Sequence, residues 1–264
     1  MFEQGLFNGR VAIVTGGGTG LGLAIATRLG ALGARIVIAS RQAANLEAGS
    51  AELRHAGLDP LCVQVDVRHP EQVDEMVART LRHFGRIDVL VNNAAGNFIC
   101  RAEELSPNGW NAVIGIVLNG SFFCARAVGR HLISRGEGGA IVSVLANYVW
   151  TGSPGTIHSA AAKAGVLSMT QTLAVEWARH RIRVNAVAPG PIESAGAAKQ
   201  LWDTPDAVER ITRMVPLGRW GRPEEVADAV AFLASERSGF ITGETLTIDG
   251  GAWLGRGVFG FLDR

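Results

Sequence analysis

The sequence predicts a doubly wound α/β fold with a parallel sheet in a single domain, and three observations carry that prediction. Short β-branched runs alternate with longer amphipathic stretches along the chain. The short runs are near-continuously apolar, as strands are when helices cover both faces of a parallel sheet. A glycine-rich turn joins the first run to the first amphipathic stretch.

The elements follow in order. Strands are expected at 11–15, 35–39, 61–65, 87–91, 140–145, 183–187 and 245–248. Helices are expected at 21–32, 43–55, 71–84, 108–134, 157–179 and 223–235, the last with Pro223 in its tolerated first turn. Residues 189–217 read as one long irregular region, and such segments often act as lids over a site. No linker, internal repeat or low-complexity tract divides the 264 residues. The tail from 250 to 264, with Trp253, Leu254, Phe259 and Phe261, is too apolar to hang free. A subunit interface or a local groove would each accommodate it.

Composition narrows the class. Apolar residues make up 47% and charged residues 19%, enough for a large core. The net charge of +1 gives no electrostatic case for nucleic acid or an anionic membrane. Cys62, Cys100 and Cys124 show no CxxC spacing, which argues against a metal site or disulfide framework and fits a reducing cytoplasm. Residues 1–10 lack a basic region followed by an apolar run, so no signal peptide is expected. No stretch of about 18 uninterrupted apolar residues occurs, so no membrane span is expected.

The turn Thr15-Gly16-Gly17-Gly18-Thr19-Gly20-Leu21-Gly22 follows the first strand and opens the first helix. Glycines there let backbone amides approach a pyrophosphate, and a helix N-terminus favours its charge. A dinucleotide is therefore expected on Gly16, Gly18, Thr19, Gly20, Leu21 and Gly22, although the spacing is GxxxGxG and not GxGxxG. The second strand ends in Ala39-Ser40-Arg41-Gln42, with no acid before Glu47. An acid there would serve the ribose 2′-hydroxyl of NAD; Arg41 instead suits the 2′-phosphate of NADP(H), the alternative being a solvated surface arginine. Asp66, in Val65-Asp66-Val67, either accepts from the adenine amine or caps the helix that starts near Pro70.

These pieces, with Asn92-Asn93-Ala94-Ala95-Gly96, Asn119, Lys163 and Pro189-Gly190-Pro191-Ile192, resemble the short-chain dehydrogenase/reductase family over nearly the whole chain. The resemblance implies a Rossmann-like domain, commonly in a homotetramer. It places Val67, Asn93 and Ala94 in the cofactor site, Lys163 at the nicotinamide ribose, and Pro189, Gly190 and Ile192 at the nicotinamide carboxamide. The family's usual tyrosine, four residues before the lysine, is replaced here by Ser159, and its usual preceding serine falls at Ala146. Ser159 and Lys163 still share a helix face. The only tyrosine in the chain is Tyr148, in the loop after the fifth strand.

This combination resembles the 2,4-dienoyl-CoA reductase branch. That branch implies Tyr148 and Asn97 as hydrogen-bond donors to a thioester carbonyl, and acyl-CoA contacts by Arg68, Phe98 and Ser106. A basic lid contact of some members falls near Lys199 and Gln200, of which Gln200 carries no charge. The replacement fits the chemistry. Ketone reduction needs a proton donor at oxygen, and serine is a poor one. Reducing a conjugated dienoyl thioester with NADPH needs the oxygen stabilised and not protonated. Ser159 would then orient Lys163 or the ribose. Asn119, mid-helix, either bonds to backbone and holds a water near Lys163 or bends the helix. Plainer readings remain for Tyr148 as a half-buried aromatic, Asn97 as a turn residue and Ser159 as a small residue at a crowded helix face. His158 has no carboxylate at readable spacing and is not expected to be a general base.

Overall fold

In a computed structural model, which describes residues 3–193 and 205–254, seven parallel strands form one sheet in the order β3-β2-β1-β4-β5-β6-β7. The strands are β1 (Val11–Thr15), β2 (Arg35–Ser40), β3 (Leu61–Gln64), β4 (Val89–Asn92), β5 (Gly139–Val144), β6 (Ile182–Pro189) and β7 (Thr245–Ile248). The helices are α1 (Gly20–Ala31), α2 (Ala43–His55), α3 (Pro70–Phe84), α4 (Pro107–Ile114), α5 (Gly120–Arg135), α6 (Ile157–Trp177), α7 (Pro205–Arg213) and α8 (Pro223–Ala234). β1 pairs with β2 on one side and β4 on the other, so the chain reverses direction across the sheet there. Ligands bind outside the carboxyl ends of strands at such a switch point.

Burial explains why β1 reads as an unbroken apolar run. Ala12 and Val14 enter the layer built with α1 and α8, through Ile25, Leu29, Val226 and Val230. Val11 and Ile13 enter the opposite layer with Val73, Met76, Val128 and Leu132, from α3 and α5. Each face is covered, so neither alternates with polar residues.

Two expectations need correction. The stretch expected as one helix over 108–134 is continuous, but it widens into a π-turn at Gly115–Asn119 between α4 and α5. The continuous unit Pro107–Arg135 is also long and apolar enough by composition to cross a bilayer. Half of its most apolar window is buried against protein, and it contributes Val113, Val117, Cys124, Val128 and Leu132 to the core. The second correction lies in 189–217, which is not wholly irregular. It contains α7, with Asp206 in the first turn and Arg210 and Arg213 in the last, charges that complement the helix dipole.

The amino end of the sheet is closed by a charge cluster. Asp88, just before β4, is 2% exposed and accepts from the Val11 N–H at 2.9 Å. Arg86, Arg135 and Arg10 approach the same carboxylate at 2.7, 3.1 and 3.3 Å. Burial pushes the Asp88 carboxyl up, but the Arg86 and Val11 hydrogen bonds and the Arg135 charge outweigh it, so its pKa lies below the usual range.

Candidate active site

The opposite, carboxyl end carries a cleft of about 960 Å³ at the switch point. Gly16, Thr19, Gly20, Leu21, Gly22, Arg41, Asp66, Val67, Asn93, Ala94 and Asn97, all singled out in the sequence, line it. Asn45 and Ile116 line it too and carried no readable signal in the sequence.

The glycine turn is built for backbone approach. Gly16 and Gly20 adopt φ of 66° and 50°, the left-handed region that favours glycine. A Cβ on Gly22 would stand 2.2 Å from the Gly16 carbonyl oxygen. The turn is braced from below: Thr15 Oγ1 donates to the Val91 carbonyl at 3.2 Å and accepts the N–H groups of Asn93 and Ala94 at 3.0 Å. Asn93 Nδ2 donates to the Thr15 carbonyl at 2.9 Å. No side chain caps α1, and its first turn contains no acid. Its first amides are therefore left for an anion, and the cleft and turn together fit a dinucleotide.

Gly18 also has a packing role. A Cβ there would lie 2.3 Å from the Asn45 carbonyl oxygen, so its glycine lets α2 close against the turn. Gly49 meets it from the α2 side, a Cβ there falling 2.6 Å from the Gly18 Cα.

Just after β2, Arg41 is exposed and its guanidinium has no ion-pair partner among the described residues. Asp66 does not cap α3; the cap position is His69. The Asp66 carboxylate is instead taken by Arg68, whose Nε donates to its two oxygens at 2.9 and 3.0 Å and whose backbone N–H adds a bond at 3.1 Å. The Arg68 hydrogen bond holds the carboxyl below its usual pKa despite partial burial. Ser106 serves α4 as its N-cap, accepting from the Gly109 N–H at 3.1 Å.

Beyond the cleft, the ends of β5 and α6 bring the remaining groups together. Tyr148 sits on a three-residue 3-10 turn, Asn147–Val149, and its hydroxyl lies 2.9 Å from Ser159 Oγ. Ser159 therefore pairs with Tyr148; of the two partners expected for it, Lys163 and the ribose, it makes no hydrogen bond to Lys163. Burial raises the Tyr148 phenol above its usual pKa, with the Ser159 hydrogen bond opposing, so the phenol is a neutral donor at pH 7. Lys163 is buried, and its Nζ donates to the Val144 carbonyl. Burial lowers it to about 8. Asn119 closes the π-turn, a helix irregularity common at functional sites.

The loop after β4 faces this group. Asn97 Oδ1 accepts from the Phe98 N–H at 2.9 Å, which leaves its Nδ2 without a protein partner among the described residues. Phe98 packs on His158 at 4.4 Å between ring centroids, and Cys100 N–H donates to the Gly155 carbonyl at 2.9 Å. These contacts tie the loop bearing Asn97 to the one bearing Tyr148. His158 is fully buried, neither ring nitrogen has a partner among the described residues, and burial lowers its pKa.

Pro189 ends β6, Gly190 packs against Asp249, and Ile192 bridges to Gly221. Lys199, Gln200, Phe259 and Phe261 lie outside the described residues. No cluster of metal-binding side chains occurs among the described residues.

Residues 16–252 match the family model described as enoyl-(acyl carrier protein) reductase. The chain belongs to the short-chain dehydrogenase/reductase family. Within it, the chain is 48% identical over 246 residues to a probable 2,4-dienoyl-CoA reductase of Bacillus subtilis, covering 93% of this chain and 97% of that one. It is 37% identical to the peroxisomal 2,4-dienoyl-CoA reductase of Arabidopsis thaliana, over 97% of this chain and 88% of that one. Among solved structures, a short chain dehydrogenase of Bacillus anthracis superposes with a TM-score of 0.85 at 48% identity, covering 92% of this chain and 96% of the other. The family fold is the Rossmann-like one expected, and it carries an oxidoreductase of this branch.

Proposed function

We propose that this chain uses NADPH to reduce a conjugated 2,4-dienoyl-CoA thioester to an enoyl-CoA, a step in the β-oxidation of unsaturated fatty acids. The observation that carries the reading is the 2.9 Å contact between Tyr148 hydroxyl and Ser159 Oγ. The sole tyrosine reaches the family's tyrosine position from another loop, which moves the phenol without removing it. The names of the Bacillus and Arabidopsis relatives agree with that reading.

A nicotinamide held by the glycine turn and Lys163 would supply the hydride for the far end of the diene. The chain's own groups then manage charge. Negative charge flows to the thioester oxygen, where preorganised donors act most strongly, and a proton taken up from solvent at carbon then completes the enoyl-CoA. Either hydroxyl of the pair can donate; with Ser159 as the donor to the Tyr148 oxygen, the phenol O–H is free to point at the thioester oxygen. Asn97 Nδ2 is the second donor, with its Oδ1 already engaged by Phe98. Lys163, held at the end of β5, adds a positive field and holds the ribose. Arg41 selects the 2′-phosphate, because no acid competes for it at Ser40 or Gln42. Arg68, Phe98 and Ser106 form the acyl-CoA side of the site. The reading includes a homotetramer in the cytoplasm, with residues 189–217 serving as the lid of the single domain.

The test is oxidation of NADPH, followed at 340 nm, with hexadienoyl-CoA and separately with a 3-ketoacyl-CoA. Turnover of the dienoyl thioester alone is expected. Turnover of the ketone alone would assign the chain to carbonyl reduction, and tight NADPH binding with neither turnover would make it a binding scaffold.

A further inference from the structure

The residues flanking Tyr148 are gripped by one short piece of chain from the far end of the sequence. Before Tyr148, Asn147 Nδ2 donates to Asp249 Oδ2 at 3.1 Å. Asp249 follows β7 and is 8% exposed. Its carboxylate also accepts the backbone N–H groups of Gly251 at 2.9 Å and Trp253 at 2.8 Å, which folds residues 250–254 back over it. After Tyr148, the Trp150 ring packs on Trp253 with centroids 5.2 Å apart. The same turn rests on the chain at 215–217, where the Leu217 N–H donates to the Gly250 carbonyl at 3.2 Å. Gly190 closes the remaining side: a Cβ there would lie 2.5 Å from Asp249 Cβ and 3.4 Å from Asn147 Nδ2.

A three-residue turn cannot hold a side chain rigidly by itself. A misplacement of about 1 Å in a catalytic group can lower a rate roughly 100-fold. We infer that residues 249–254 form a strap that keeps the Tyr148 hydroxyl on Ser159, with Asn147 and Trp253 as positioning residues that never touch substrate. The part of the inference that concerns rate rests on the donor role of Tyr148 proposed above. The structural part stands apart from it.

The chain has one tyrosine, so its phenolate absorbance at 295 nm reports Tyr148 alone. The experiment compares full-length wild type, Trp253→Ala, Trp253→Phe and Asn147→Ala. Each is assayed with NADPH and hexadienoyl-CoA and titrated at alkaline pH with the fold monitored by circular dichroism. Trp253→Ala is expected to lower kcat about tenfold or more, with NADPH affinity within about twofold of wild type. Its phenol midpoint should move down toward the ordinary value of about 10, because release of the turn relaxes the burial that raises it. Trp253→Phe should recover most of both effects, and Asn147→Ala should move both in the same direction. A Trp253→Ala protein that titrates like wild type overturns the strap, whether or not its kcat falls. If Trp253→Ala does not fold, Asn147→Ser gives the same two readouts, and an unmoved midpoint there overturns the inference. If wild type fails to reduce hexadienoyl-CoA, the donor reading falls and the titration still decides the strap.

Discussion

The two ends of the sheet treat a buried charge in opposite ways. At the amino end, Asp88 is surrounded by Arg10, Arg86, Arg135 and the Val11 N–H, and little of its bonding capacity is left over. At the carboxyl end, among the described residues, His158 has two unpartnered ring nitrogens, Asn92 Oδ1 has no partner, and Lys163 is bonded to a carbonyl with no counter-charge in reach of an ion pair. Satisfied polar clusters hold a fold together; polar groups with spare capacity are retained where a ligand completes them. One end of the same sheet is thus built for stability and the other for chemistry.

The largest effect that breaks this comparison falls at the amino end. Asp88→Ala should destabilise the chain by about 3–5 kcal/mol, because it leaves arginines without their buried partner. Urea unfolding reads this, while kcat per folded molecule should be unchanged. The wild-type contribution is present above the unfolded carboxyl pKa of about 4 and is lost as pH falls through the lowered folded value. Tyr148→Phe should do the reverse. Loss of one oxyanion donor should raise the barrier by about 2.7–4 kcal/mol, with NADPH affinity and urea stability nearly intact. An active Tyr148→Phe enzyme would remove the phenol from the site.

Smaller effects sharpen the carboxyl end. Arg41→Ala should weaken NADPH binding by about 1.5–3 kcal/mol, the range for hydrogen bonds to charged groups, and should barely affect NADH. Equal weakening of both would make Arg41 a surface residue. The smallest effect is in the pH profile. Lys163 is lowered to about 8 by burial, so kcat should decline as pH rises through 8 and its positive field is lost. Stability should move oppositely: between about 8 and the unfolded value of about 10.4 the unfolded chain binds more protons, so stability rises with pH. A Lys163→Met variant should flatten both trends.

Much of the fold was legible because it depends on local periodicity. All seven strands and most helices can be found from apolar runs, since burial on both sheet faces writes an unbroken pattern into each strand. The glycine turn was legible for a similar reason, as strand, turn and helix are adjacent in sequence. The packing role of Gly18 against α2 was not legible, because one residue type answers two demands, close approach to a ligand and close approach to a helix. α7 was hidden by its charges. Asn147 and Asp249 went unread because the residues that meet are 102 positions apart. A signal existed in the position of Asp249 at the carboxyl end of β7, where site residues of this architecture collect.

The sequence by itself determined the fold class, the dinucleotide turn and the absence of a tyrosine four residues before Lys163, because each is written in neighbouring residues. Only the tertiary structure decided what replaces that tyrosine. The 2.9 Å approach of Tyr148 to Ser159 depends on where the loop after β5 lies against α6, and on what holds it there. Those are long-range packing relations, and no local pattern of residue types encodes them.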